Sequence, residues 1–375
     1  MHRTGKVLFC REAMMSTIYE TLRDRIDQYS VGFIATASGV ELKILQRLFT
    51  EEEAETYLAL TRKPEPVSVI AGRLGKSVEE TAAVLGRMTE KGHTFPATHN
   101  GTKFYAAAPF MHGFFEHQVF RKNKDRDLPA LFEEYFQTGF IPRTRSLRTV
   151  PIHMEATPET PIAPYDDVRR IIMTKERIGL FPCACNFQTA SLGRKCDRPH
   201  DMCLAFDFYA EYLLDEIGFG RTITREEALK ILDEAEAAGL VHQTGGDKRN
   251  TECICNCCPD CCTILRQVKL LPNPARYKSS NYVLTYAQDA CKHCRVCLGR
   301  CPMQALSMSG DEEPLNVNRD RCIGCGLCTT TCGGGALKLA VKDEKDRRTP
   351  PTTFDFMRCS LDLWKEIREA AGDGE

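Results

Sequence analysis

Apolar residues recur at helical spacing near the start of the chain. Leu42, Leu45, Leu48 and Phe49 line one face of residues 41–60 and predict a helix there. Pro64 and Pro66 interrupt the pattern, and residues 67–74 have the length of a short second helix ending at Gly75. Ser77 followed by Glu80 is a capping-box pair that opens a third helix over 78–91, closed by Gly92. Residues 94–107 then read as a hairpin turning at Asn100-Gly101, a dipeptide that tolerates the positive φ of tight turns. Three helices followed by a two-stranded wing make a winged-helix-like pattern. Residues 110–140 continue as aromatic-rich helix, with Phe110, Phe114, Phe115, Phe120, Phe132, Tyr135 and Phe136 suited to a core. His112 and His117 lie five residues apart, a spacing that does not put them on one helical face as a metal pair.

Arg143, Arg145 and Arg148 read as a small solvated basic loop before Pro151, and Pro158, Pro161 and Pro164 mark a linker. Beyond it, residues 165–175 suggest a helix and 177–181 a strand running into Cys183. Thr224, with Glu227 in capping-box register, begins a helix over 224–239. A charged segment over 342–348 precedes an amphipathic helix around 354–371. The expected class is α+β. Residues 1–150 form a winged-helix-like and helical domain, and 165–275 a cysteine-rich middle domain. Residues 281–342 form a ferredoxin-like domain, and 343–375 a charged linker with a terminal helix.

Charge adds little, since the formal net charge is −1 and no global basic footprint for nucleic acid exists. The third helix carries Glu79, Glu80 and Glu90 against Arg87 and Lys91. Phosphate contacts dominate DNA affinity, so protein docking or homodimerisation through this domain is expected in place of DNA binding. Cysteine changes the picture, with 20 residues in the chain, 18 of them between Cys183 and Cys332. Such crowding in one part of a long chain fits thiolate metal ligands in a reducing compartment better than an exported disulfide scaffold. The N-terminus has no apolar run of signal-peptide length, and no stretch approaches a membrane span, so a cytoplasmic location is expected.

The densest chemistry reads Cys291-x2-Cys294-x2-Cys297-x3-Cys301-Pro302 and repeats as Cys322-x2-Cys325-x2-Cys328-x3-Cys332. This resembles the bacterial two-cluster ferredoxins, in which the fourth cysteine of each run serves the other cluster. The resemblance implies one 4Fe-4S cluster on Cys291, Cys294, Cys297 and Cys332, and a second on Cys322, Cys325, Cys328 and Cys301. One departure is visible: Gly333-Gly334-Gly335 follows Cys332 where the family carries proline, which is expected to expose that turn.

Ten further cysteines lie upstream: Cys183, Cys185, Cys196, Cys203, Cys253, Cys255, Cys257, Cys258, Cys261 and Cys262. Without metal they would be open to oxidation. Two more clusters, for up to four in all, or one cluster and an unusual centre, would use them. Grouping by order puts Cys183, Cys185, Cys196 and Cys203 at one site. Cys255, Cys257, Cys258, Cys261 and Cys262 form the other; a mixed site is the rival. The adjacent pairs Cys257-Cys258 and Cys261-Cys262 cannot both serve one cubane corner. If iron analysis left these thiols empty, zinc or redox-active thiols would be the alternatives.

No G-x-G-x-x-G fingerprint and no P-loop occur, and no catalytic residue can be named. Residues 40–342 resemble multi-cluster ferredoxin-type proteins of anaerobic bacteria. The carrying features are Pro164-Tyr165-Asp166-Asp167, Lys195-Cys196-Asp197-Arg198-Pro199, Gly239-Leu240-Val241-His242 and Ile254-Cys255-Asn256-Cys257-Cys258. The resemblance implies electron transfer beside a larger oxidoreductase. Two other readings stand beside it. One is an enzyme with a catalytic cluster in the middle domain, His200 or His242 supplying protons; the other is a redox-responsive winged-helix regulator.

Overall fold

The computed structural model describes residues 18–99, 101–120, 125–138, 147–154, 162–163, 165–194, 196–246 and 251–350. Asn100, Arg143, Arg145, Pro158, Pro161, Pro164, Lys195 and the tail helix predicted around 354–371 lie outside these residues. The chain divides into two compact units, Met1–Phe140 and Ile141–Glu375.

In the first unit, helix α1 covers residues 18–27. The single helix predicted over 41–60 is two helices, α2 (Val40–Leu48) and α3 (Glu51–Ala59). Phe49 is extended between them, at φ −115° and ψ 136°. Thr50 restarts the helix by accepting the Glu53 amide at 3.2 Å while the Glu53 carboxylate accepts the Thr50 amide at 2.9 Å. This capping box was legible in the sequence as Thr50-x-x-Glu53, and the apolar periodicity concealed it. The short strand β1 (Glu65–Pro66) leads into α4 (Val67–Leu74) and α5 (Val78–Glu90), the latter capped by Ser77 and Glu80 as expected. The hairpin follows as β2 (Thr94–His99) and β3 (Thr102–Ala107), and β1 joins it to give the antiparallel order β1-β3-β2.

The helix expected over 110–140 is interrupted. Met111 is extended and His112 sits in left-handed conformation at φ 57°. Helices α6 (Phe115–Phe120) and α7 (Leu128–Thr138) follow the break. The aromatics do form the core: Phe33 lies 4.6 Å from Phe110, and the His93 ring stacks on Phe49 at 3.7 Å. Burial holds His93 well below its ordinary pKa, so it packs as a neutral aromatic ring.

The second unit is built on a six-stranded antiparallel sheet. Its strands are β4 (Arg148–Thr149), β5 (Ile178–Phe181), β6 (Cys203–Phe206), β7 (Arg221–Thr222), β8 (Val241–Gly246) and β9 (Thr251–Cys257), in the order β4-β8-β9-β6-β5-β7. Helix α8 (Val168–Met173) and helix α11 (Arg225–Ala237) cover one face. Ile171, Ile172, Leu180, Leu204, Phe206, Ile231, Leu232 and Ile254 form a continuous apolar core beneath them. Thr224 caps α11 by accepting the Glu227 amide at 3.2 Å, while the Glu227 carboxylate pairs with Arg221 instead of completing the box.

Arg148 is not a solvated loop residue. It lies in β4, nearly fully buried, and its guanidinium donates to Asp166 at 2.6 Å. The other oxygen of Asp166 accepts from Asn281 at 2.7 Å, so the pair is hydrogen-bonded on both sides. Between β5 and β6 runs α9 (Ala184–Ser191), and α10 (Asp207–Glu211) follows β6. Helices α12 (Thr263–Leu270) and α13 (Pro274–Tyr277) lead to the last segment. There β10 (Tyr282–Tyr286) pairs with β13 (Leu337–Val341), and α14 (Val296–Arg300) precedes a small pair, β11 (Leu306–Ser307) with β12 (Asn316–Val317). Among the described residues, no helix is long and apolar enough to cross a membrane.

Candidate metal centres

The two cysteine runs near the C-terminus enclose two cavities. One is lined by Cys291, Cys294, Cys297 and Cys332 with Tyr286, Leu315 and Leu337. The other is lined by Cys301, Cys322, Cys325 and Cys328 with Leu284, Ile323 and Leu339. Each cavity therefore draws three sulfurs from one run and a fourth from the other. The wall between them is shared, with Leu284, Leu306, Leu315 and Leu337 packed against cysteines of both sets. Four thiols in a largely apolar lining are the donor set a 4Fe-4S cluster takes.

The runs bend alike. Gly324 and Gly326 have φ of 65° and 82°, and the matching positions of the first run, His293 and Arg295, have φ of 50° and 60°. Left-handed residues at both positions curl each loop round its cavity. Glycine is obligatory only in the second run. A Cβ on Gly324 would lie 2.5 Å from the Tyr282 carbonyl oxygen, whereas Cys294 in the first run is exposed. Burial pushes the thiols of Cys325 and Cys328 well up from their ordinary range. Metal must displace protons to enter there. The glycine run after Cys332 also has a packing reason: a Cβ on Gly334 would lie 2.4 Å from the Ala290 carbonyl.

The upstream thiols do not group by order in the chain. Side-chain contacts run from Cys185 to Cys183, from Cys183 to Cys203, and from Cys203 to Cys255. They continue from Cys255 to Cys257, from Cys257 to Cys262 and from Cys262 back to Cys185, closing a ring of six. Strand pairing explains the mixing. β6 and β9 are neighbours, with Ala205 opposite Cys253, so Cys203 arrives beside residues fifty positions away. Along β9, Cys253, Cys255 and Cys257 share one face and Ile254 takes the other, in the core. The hydrogen bond between Cys183 and Cys185 pushes the Cys183 thiol up to about 12.

Cys196, expected beside Cys183, Cys185 and Cys203, lies instead with Cys258 and Cys261. Their three sulfurs all fall within 4.8 Å of one another. The adjacent pairs serve different places, as the backbone requires: Cys257 and Cys262 belong to the ring, Cys258 and Cys261 to the three-sulfur group. Cys253 contacts Cys255 at the edge of the ring.

Lys278, which the sequence did not single out, lies within electrostatic range of the ring thiols. It is buried, donating to the Leu147 carbonyl at 3.0 Å and to Gln243, and burial lowers its pKa to about 8. It supplies positive charge to Cys262, Cys257 and Cys255. A lone lysine gives no sequence signal of this role. His242 is fully occupied between Asn256 at 2.6 Å and Glu236 at 3.1 Å, so its place is structural. His200 contributes its backbone carbonyl to the Cys183 amide at 2.8 Å. Arg300 ties the two parts of this unit together, donating to the carbonyls of Glu236, Ala237 and Leu327.

These cavities define a ferredoxin-like 4Fe-4S domain. The family description "4Fe-4S dicluster domain" matches residues 284–333, the segment that forms both. Ferredoxin-1 of Caulobacter vibrioides is 32% identical over 88 residues, which cover 23% of this chain and 70% of that protein. The chain thus belongs, through its C-terminal segment, to the ferredoxin-type iron–sulfur proteins, and its cofactors are 4Fe-4S clusters. A ferredoxin-like protein of Escherichia coli K12, YdhY, is 39% identical over 51 residues, covering 13% of this chain and 24% of that protein. Hydrogenase-4 component A of the same organism is 32% identical over 88 residues, covering 23% of this chain and 42% of that protein. This chain thus spans a quarter to under half the length of these two relatives. No solved structure matches it.

Proposed function

We propose that the protein is an electron-transfer subunit that relays electrons between its cysteine-rich middle region and an oxidoreductase partner under anaerobic conditions. A bound 4Fe-4S cluster supplies one-electron transfer at low energetic cost of rearrangement. The observation that carries the reading is the juxtaposition, in one compact unit, of two four-cysteine cavities and a six-thiol ring. Cys297 of one cavity and Cys328 of the other belong to the same apolar cluster, which supports a continuous path. We assign the ligand roles to Cys291, Cys294, Cys297 and Cys332, and to Cys301, Cys322, Cys325 and Cys328. The resemblance to hydrogenase-4 component A supports a place beside a larger oxidoreductase.

The first unit fits a winged-helix-like docking module. Its helix α5 opens on Glu79 and Glu80, Arg87 is paired with Glu52 at 2.7 Å, and Arg73 is paired with Glu65. With these cations already neutralised, a protein surface or a second copy is a better partner than phosphate. The test is iron and acid-labile sulfide per chain on protein purified without oxygen, with reductive titration followed by electron paramagnetic resonance. Iron above the roughly 8 held by two cubanes is expected. Iron at roughly 8 would leave the six-thiol ring outside the path and overturn the relay.

A further inference from the structure

The three-sulfur group differs in scale from the ferredoxin cavities. Thiolates on a cubane each bind a different iron and are held apart by the cluster body. Thiolates on one tetrahedral metal lie at the ends of a tetrahedron edge, about 3.8 Å for bonds of about 2.3 Å. Cys196 and Cys258 have their sulfurs 3.5 Å apart, and Cys261 lies within 4.8 Å of both. Among the described residues, no three of the ferredoxin cysteines approach one another so closely.

We propose that Cys196, Cys258 and Cys261 bind a single zinc ion, separate from the iron–sulfur centres, with one coordination position left to water or an incoming ligand. Cys258-Pro259-Asp260-Cys261 is a C-x2-C chelate, the spacing of zinc-binding loops. The Asp260 amide donates to the Cys258 sulfur at 3.4 Å. The Arg198 amide likewise donates to Cys196, two residues before it. Asn186 donates to Cys261 at 3.5 Å. Each sulfur thus has its own donor, an outer shell that orients a ligand and spreads its charge. Ala235 and Leu240 pack against Cys258 and Cys261, and Met202 closes the apolar side. Arg198 and Lys269 pair with Asp260 at 3.8 and 3.9 Å, and the one net positive charge of this trio faces the one net negative charge of three thiolates on a divalent ion. Soft thiolate donors in a tetrahedral arrangement select zinc among the abundant divalent metals.

The test uses the full chain purified without oxygen, with zinc and iron measured in the same sample. About one zinc per chain is expected, falling at least tenfold in Cys258→Ser and in Cys196→Ser, while iron stays at the wild-type level. Cys253→Ser, outside the group, should keep its zinc. Should a serine variant fold poorly, cobalt exchanged into the wild-type protein decides the matter. Intense visible bands of a tetrahedral cobalt–thiolate centre support the site, and their absence overturns it. Wild-type protein without zinc would overturn the site, and loss of about four irons from Cys258→Ser would show that these sulfurs hold a cubane. Any irons that Cys258→Ser loses are subtracted from the count that tests the relay, so the two proposals fail separately.

Discussion

The two ferredoxin cavities share a spacing and a backbone bend, yet their surroundings are opposite. Around Cys301, Cys322, Cys325 and Cys328 the chain is packed tight. Gly326 abuts Pro151 and Leu339, Gly324 abuts Tyr282 and Ser280, and Arg300 anchors the preceding helix to the end of α11. Around Cys291, Cys294, Cys297 and Cys332 the same bend carries the side-chain-bearing residues His293 and Arg295, and Cys294 is exposed. One motif written twice therefore gives an inner and an outer site. What separates them is the neighbours of the loop, and the difference suits an inner site facing the rest of the unit and an outer one facing a partner.

Substituting equivalent positions should break the symmetry most strongly. Gly324→Ala forces a Cβ into a backbone carbonyl at a positive φ, and an iron assay should find about four irons lost per chain. His293→Ala at the matching position should leave iron unchanged; equal losses in both would remove the distinction. Next in size is the buried Arg148–Asp166 pair. Asp166→Asn removes the only charge paired with buried Arg148 among the described residues, a loss of about 3–5 kcal/mol that denaturant unfolding of the second unit would register.

A smaller effect separates the sites kinetically. In metal-free protein, alkylation followed by peptide mass spectrometry should label Cys294 well before Cys325 or Cys328. Labelling at equal rates would mean that the inner cavity opens freely. The smallest effect belongs to the surface. Arg295, paired with Asp311 at 2.9 Å, lies beside the outer cavity. Arg295→Glu should change the salt dependence of electron delivery to an acceptor protein several-fold or less while leaving iron content alone.

The sequence disclosed whatever depends on neighbours along the chain. Ser77 with Glu80, Gly75, Gly92 and the hairpin at 94–107 are local rules, and each stands where expected. The two cysteine runs are legible because each wraps its own loop. The upstream thiols are not, because β6 meets β9 across some fifty residues and no local pattern encodes which strands become neighbours. That is why Cys196 went to the wrong group. Lys278 was invisible for the same reason, its role resting on where Gln243 and Leu147 come to lie. The interruptions at Phe49 and at His112 were hidden by apolar periodicity, which continues across a bend as long as both sides feed one core.

Strand β9 carries Ile254 on its oily face and Cys253, Cys255 and Cys257 on its sulfur face. A slip of one residue would exchange the two sets, driving thiols into hydrocarbon and isoleucine among thiols. Two unrelated chemistries thus read the same alignment, and each rejects the error the other would make. The strand works as a line of text with its own checksum. A chain that closes its ring of thiols has, by that fact, certified the register of its core.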